Sequence, residues 1–303
     1  MNMKSPTIRL VAALWLAAVP LAAQSSPKSV ADELIAADRA FSAASANTDL
    51  IAGLSAMFAD DVTMPAPPGR FYRTKPDAIA ALQGNPSNAG SKAVWTPIRG
   101  GVSADGLHGF TFGVMTIKRG DGVNALAKYL AYWVKGSAGW RVAAYKRVGR
   151  AEGSVPTDLI APSLPTQPAK PVTDASTIER HRTGLVAAEQ AFSDLAQTVG
   201  LGPAFKESGS EDAINLGGAA TAGFVIGNDA IAKLVQGDAP ITDGRVHWSA
   251  EWALVASSGD LGVTFGYIKT NGPPPDGAPA NGNPFFTIWR RAGPNAPWKY
   301  IAE

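Results

Sequence analysis

The heptad AADRAFS at 36–42 returns as AAEQAFS at 187–193, and the register holds downstream. FADDVTM (58–64) parallels SGSEDAINL (208–216), with Asp61 matching Asp212, and PDAIAAL (76–82) parallels NDAIAKL (228–234). Trp95 matches Trp248, GFTFG (109–113) matches GVTFG (262–266), Trp133 matches Trp289, and Trp140 matches Trp298. Matches in one order at a nearly constant offset mark an internal duplication, not chance similarity in an alanine-rich chain. Whatever one copy folds into, the other must fold into as well.

Each heptad sits in an amphipathic helical pattern. In the first, Ser29 is the expected N-cap with Asp32 at N3, and Val30, Leu34, Ala37, Phe41 and Ala44 share a face. In the second, Ser176 and Glu179 form the expected capping box, with Leu185, Ala188, Phe192 and Leu195 as the stripe. Further along, TFGVMTIK (111–118) and KYLAYWV (128–134) read as strands, as do VTFGYIK (263–269) and FFTIWRR (285–291). Adjacent strands joined by short loops predict an α+β fold: two tandem cone-shaped domains, each a curved, mainly antiparallel sheet with about three helices on its concave face. The open end of such a cone is the natural pocket.

Prolines at 156, 162, 165, 168 and 171 separate the copies and predict an extended linker over 151–175. The domains are therefore expected at 28–150 and 176–303. Ahead of them, Lys4 and Arg9 precede an unbroken apolar run from Leu10 to Val19, then Pro20 and the small residues Ala22 and Ala23. That order predicts a secretory signal peptide over 1–23, removed near Ala23, and a periplasmic or secreted protein. The run is too short to span a bilayer, so no membrane association is expected after cleavage.

The chain has no cysteine, which excludes thiol chemistry and disulfides. Its 27 Lys+Arg stand against 25 Asp+Glu, and two of the bases fall in the leader. A balanced chain without a basic run argues against nucleic acid as a partner. His108, His181 and His247 show no metal-ligand spacing, no GxSxG elbow exists, and no phosphate loop appears, so neither metal nor cofactor is expected.

FADDVTM followed by PDAIAAL, EDAINL followed by GNDAIAKL, and the paired closing tryptophans resemble the nuclear transport factor 2-like superfamily. Within it the pattern is closest to the SnoaL-like and ketosteroid-isomerase-like group and its domain-of-unknown-function 4440 family. The glycine usual before the Ala-Ile pair is present as Gly227 but replaced by Lys75 in the first copy. The resemblance implies a cone used by isomerases, dehydratases, cyclases, hydrolases and non-catalytic binders, so fold does not decide function. It also implies where an isomerase's groups would fall. The base position holds Ala66 and Gly217, the tyrosine donor position Phe41 and Phe192, and the late-strand acid position falls near Leu130 and Phe286. None of these can take a proton or stabilise an oxyanion, so classical isomerase turnover is not expected.

Asp60 and Asp61 read as turn acids closing a helix rather than as a catalytic dyad. The remaining signal is aromatic. Trp95, Phe112 and Tyr132 in the first copy, and Trp248, Phe265 and Phe286 in the second, are expected to line the cones, with Lys128 on the face of Tyr132. The loop 271–284 is long and proline-rich, either a hairpin tip or a lid. The leading expectation is an exported protein binding a small apolar ligand, with the first copy the better site because Lys128 and Tyr132 could orient a polar end. Two alternatives stay open: an enzyme with a non-standard constellation of Lys128, Tyr132 and Asp61, or a purely structural pseudo-dimer. The two domains are expected to pair within the chain, with Trp133 and Trp289 near the contact.

Overall fold

The computed structural model describes residues 25–66, 69–237, 245–274 and 276–303. The leader expected over 1–23 lies outside the described residues. The first copy runs α1 (Pro27–Ser45), α2 (Leu50–Met57), β1 (Phe58–Ala66), β2 (Arg70–Tyr72), α3 (Lys75–Gln83), β3 (Lys92–Val102), β4 (His108–Lys118), β5 (Asn124–Gly136) and β6 (Gly139–Gly149). The second repeats it as α4 (Ala175–Val199), α5 (Leu201–Ser208), β7 (Gly209–Asn215), β8 (Val225–Ile226), α6 (Asn228–Gln236), β9 (Val246–Val255), β10 (Leu261–Thr270), β11 (Asn283–Arg290) and β12 (Lys299–Ala302).

The strand orders coincide: β2-β1-β6-β5-β4-β3 and β8-β7-β12-β11-β10-β9. Neighbours are antiparallel except β1–β6 and β7–β12, which are parallel. The fold is α+β with two tandem domains, three α-helices to each sheet.

Both first helices begin earlier than their sequences suggest. Ser26, not Ser29, caps α1, because Pro27 suits N1 and the Ser26 hydroxyl accepts the Ser29 amide at 3.1 Å. Asp174 caps α4 by accepting the Thr177 amide at 2.9 Å, and Ser176 only donates to it.

GFTFG and GVTFG owe their last glycine to the sheet. A Cβ on Gly113 would lie 2.0 Å from the Thr96 carbonyl oxygen, and one on Gly266 would lie 1.9 Å from that of Ser249. Both glycines sit where β4 and β10 run past a bulge in the neighbouring strand.

Three apolar cores result. One lies between α1–α3 and their sheet, holding Leu34, Leu54, Trp95, Tyr129 and Trp133. A second lies between α4–α6 and theirs, holding Leu185, Phe192, Trp248 and Trp289. The third is formed by the outer faces of both sheets and joins Phe110, Phe112, Leu130 and Tyr132 to Val263, Phe265, Phe286 and Ile288. Trp133 and Trp289, expected near the contact between copies, thus point the opposite way, into the helix-covered cores. Along β5 the odd residues Tyr129, Ala131 and Trp133 face the helices, while Leu130 and Tyr132 face the other copy.

Rings and polar groups fix this contact. Phe71 from β2 packs edge-on against Trp252 and Tyr267, with centroids 4.9 and 5.3 Å away. Arg99 pairs with the Asp212 carboxylate and donates to its carbonyl at 2.9 Å. The backbone amide of Ala104 donates to Asp260 at 3.0 Å, and Asp260 also pairs with Arg290 at 3.3 Å.

The Pro-rich segment is extended but is no free spacer. It follows the outer edge of β3, with Ile160 donating to the Ile98 carbonyl at 3.0 Å and Ser163 to that of Gly100 at 3.0 Å. Ala169 continues the run by donating to the Ala104 carbonyl at 2.8 Å. An otherwise unpaired strand edge is thereby covered.

Candidate functional site

The repeated heptad places one acid inside each cone. Asp38 and Glu189 occupy matched positions on α1 and α4, on the same face as the apolar stripe, and both are buried. Asp38 accepts the Trp95 indole N–H at 2.6 Å and the Tyr129 hydroxyl at 2.8 Å. Glu189 accepts the Trp248 indole at 2.7 Å, the Thr264 hydroxyl at 2.5 Å and the Trp289 indole at 3.0 Å. The heptad's closing serine completes the anchor, since Ser42 and Ser193 accept the backbone amides of Trp95 and Trp248 at 2.7 and 2.9 Å.

Around this acid the copies differ at two places, Asp38 against Glu189 and Tyr129 against Phe285. The place of Tyr129 on β5 is taken by Phe285 on β11, which has no hydroxyl to donate. Glutamate, one methylene longer than aspartate, reaches Thr264 and Trp289 instead. In the first copy Trp133 finds Thr111 at 2.8 Å. Burial pushes both acids up, against the hydrogen bonds that favour the carboxylate: Asp38 rises, and Glu189 rises to about 7.

The second cone holds a cavity beside the phenylalanine. Tyr129 is fully buried, whereas Phe285 is only partly buried, beside this cavity of about 430 Å³. Its apolar wall is built by Phe192, Leu201, Phe205, Val246, Trp248 and Phe285, with Glu189 set into it. One end is polar: Asn215 and Glu303 come from the second copy, while Lys146 and Val148 come from β6 of the first. Lys146 donates to the Phe286 carbonyl at 3.1 Å, and its Nζ lies 4.5 Å from the centre of the Phe286 ring. Burial lowers Lys146 to about 8, partly offset by the Glu303 charge, and burial raises Glu303.

The seven residues expected to contact ligand separate into three groups. Trp248 and Phe286 border the cavity. Trp95 lies within the first cone but is packed against Asp38. Phe112, Lys128, Tyr132 and Phe265 face the other copy. Phe112 meets Phe224 at 5.0 Å, and Phe265 stacks with Trp252 at 5.1 Å. Tyr132 shares a hydrogen bond with His108 Nδ1 at 2.9 Å.

Lys128 is spent on the loop before β8, donating to Thr221 Oγ1 at 2.8 Å and to the carbonyls of Gly223, Thr221 and Gly218 at 2.9, 3.0 and 3.3 Å. Period-two counting correctly put Lys128 and Tyr132 on one face, but that face is the contact between the sheets. Asp61 is exposed on β1, so it does not join them in a constellation.

Of the isomerase-derived positions, Gly217 lines the cavity and Ala66 lines a second pocket of about 670 Å³ between β1, β2, α3 and β6 of the first copy, and neither offers a carboxylate. Among the described residues no cluster of three or more His, Asp or Glu is arranged to hold a metal.

Sequence reasoning passed over Asp38, Glu189, Lys146 and Glu303. The two helix acids carried a signal, because an acid at the same place in both heptads interrupts an apolar stripe. Lys146 and Glu303 carried none, since they meet the cavity only through the packing of the copies.

No family model and no curated protein matches the chain. Solved structures do match, each of the following over about two fifths of the chain. A ketosteroid isomerase-like protein from Erwinia carotovora atroseptica is 16% identical over 40% of this chain and 96% of its own, with a TM-score of 0.32. A nuclear transport factor 2-like protein from Pseudomonas putida, of unknown function, is 16% identical over 41% and 88%, with a TM-score of 0.32. Another, from Novosphingobium aromaticivorans, described as having a cystatin-like fold, is 18% identical over 40% and 80%, with a TM-score of 0.29. Over about two fifths of its length, the chain is similar to proteins of the nuclear transport factor 2-like and ketosteroid isomerase-like fold.

Proposed function

We propose that the protein binds a small, largely apolar ligand inside its second cone, and that the first cone is a packed core serving as scaffold. The observation that carries this reading is the cavity of about 430 Å³ walled by Phe192, Leu201, Phe205 and Trp248. Apolar walls with a few convergent polar groups are the usual composition of a small-molecule site. Burying roughly 400 Å² of apolar surface at about 25 cal/mol per Å², less an association cost of at least ~4 kcal/mol, supports affinity in the tens of micromolar.

Titration with Nile red tests the reading. Saturable enhancement is expected for the wild type, with its loss in Leu201→Trp, which fills the cavity, at unchanged circular dichroism. Non-saturable fluorescence in both proteins would overturn it. Cleavage of the leader near Ala23 would make this an exported binding protein, and the intact mass of protein recovered from its host checks that point.

An acid–base enzyme is the second reading, favoured by Glu189 standing at about 7 in the cavity wall, within the range of a working general base. Against it, Glu189 already holds three donors of the fold. Turnover of a β,γ-unsaturated ketone that is lost in Glu189→Gln would establish the enzyme instead.

A further inference from the structure

The polar end of the second cone is a composite of both copies. Lys146 pairs with Leu130 across β5–β6, so it shares the sheet face that meets the second copy. From there it reaches over Phe286 into the cavity margin. Glu303 lines the same cavity and is firmly held: its amide donates to the Ile214 carbonyl at 2.9 Å, and its own carbonyl accepts the Leu216 amide at 3.0 Å. Its Oε1 accepts the Asn215 side-chain amide at 2.7 Å, while Asn215 Oδ1 accepts the Gly217 amide at 2.6 Å.

Both polar groups face the cavity with capacity to spare. Among the described residues, Lys146 donates only to the Phe286 carbonyl, which leaves two of its three N–H groups. Glu303 uses one oxygen, on Asn215. No ion pair closes between Lys146 and Glu303 within 4.0 Å among the described residues. A donor and an acceptor therefore line one apolar chamber without closing on each other.

We propose that Lys146 and Glu303 together hold the hydroxyl of an apolar alcohol or phenol, with Lys146 donating to its oxygen and Glu303 accepting its proton. This rests on the reading of the second cone as a ligand site and specifies what that site selects. A hydroxyl accepts and donates through one atom, so it satisfies both groups at once. A ketone satisfies Lys146 alone. A carboxylate is attracted by Lys146 but opposed by Glu303, and an ammonium meets the reverse. Leaving a buried donor or acceptor unpaired is costly, so the site discriminates against ligands that lack the hydroxyl.

The matched probes naphthalene, 2-naphthol and 2-naphthoate test the proposal through quenching of tryptophan fluorescence in the full chain, confirmed by calorimetry. Wild type is expected to bind 2-naphthol about tenfold or more tighter than naphthalene, and 2-naphthoate no tighter than naphthalene. Lys146→Met and Glu303→Gln should each bring 2-naphthol to within about threefold of naphthalene.

Equal binding of naphthalene and 2-naphthol by wild type would overturn the hydroxyl proposal and leave the apolar site standing. Binding of none of the three would overturn both. Preference for 2-naphthoate would make Lys146 an anion site, and 2-naphthol selectivity surviving in both variants would place the hydroxyl elsewhere. Either result overturns the proposal.

Discussion

The carboxylate of Asp38 lies 2.6 Å from the indole nitrogen of Trp95, and Glu189 repeats that contact with Trp248 at 2.7 Å. Each pair ties the first helix of a copy to the strand that edges its sheet. The repeated heptad encodes this tie: its acid takes the indole, its serine takes the tryptophan amide, and its phenylalanine packs the cone, Phe192 stacking at 5.6 Å on Tyr300.

Asp38→Ala should cost about 2–4 kcal/mol in urea denaturation, because it leaves the Trp95 indole and the Tyr129 hydroxyl buried without an acceptor. Asp38→Asn keeps one acceptor oxygen and should cost clearly less. A stability for Asp38→Ala within about 0.5 kcal/mol of wild type would refute the anchoring role.

Glu189 makes stability depend on pH. Its folded value of about 7 lies above the ordinary 4.5, so the folded state binds the extra proton. Its contribution is fully present below about 4.5 and declines as pH rises through about 7, by roughly 3 kcal/mol at most. Asp38 and Glu303 are raised in the same direction, so wild type keeps part of the slope without Glu189. Denaturation midpoints at pH 5 and 8 should therefore differ less in Glu189→Gln than in wild type, and equal differences would contradict the assignment.

Gly266→Ala should destabilise by about 1–3 kcal/mol or more, since its methyl meets a backbone carbonyl at 1.9 Å that the bulge holds in place. Gly218→Ala, where nothing lies within 4 Å, is the control and should stay within about 0.5 kcal/mol. Thermal melts of the two variants compare them directly.

Asp260→Ala should cost about 2–4 kcal/mol, because it strips the Arg290 guanidinium of its charge partner and the Ala104 amide of its acceptor at the contact between copies. Arg290 keeps its bonds to the Val102 and Ser163 carbonyls, which holds the loss below that of a wholly isolated charge. Limited proteolysis should cut the Pro-rich segment faster in this variant, because Ser163 and Asp260 share Arg290. Unchanged cleavage with unchanged stability would show the contact to be weak.

The duplication, the order of helices and strands, the α+β class and the paired tryptophans were all legible in the sequence, because each rests on local periodicity or on the echo between copies. The side of the sheet each aromatic faces was not. KYLAYWV is apolar at odd and even positions alike, since helices bury one face and the other copy buries the second. Alternation labels inside and outside only where one face meets water. Hence Lys128 and Tyr132 belong to the seam between sheets, while Trp133 and Trp289 belong to the cones. Where this cavity forms depended on packing as well: Tyr129 is buried in the first copy, while its counterpart Phe285 stands beside the cavity in the second. Lys146 and Glu303 line that cavity from places far apart in the chain, and only the docking of one sheet on the other brings both to it.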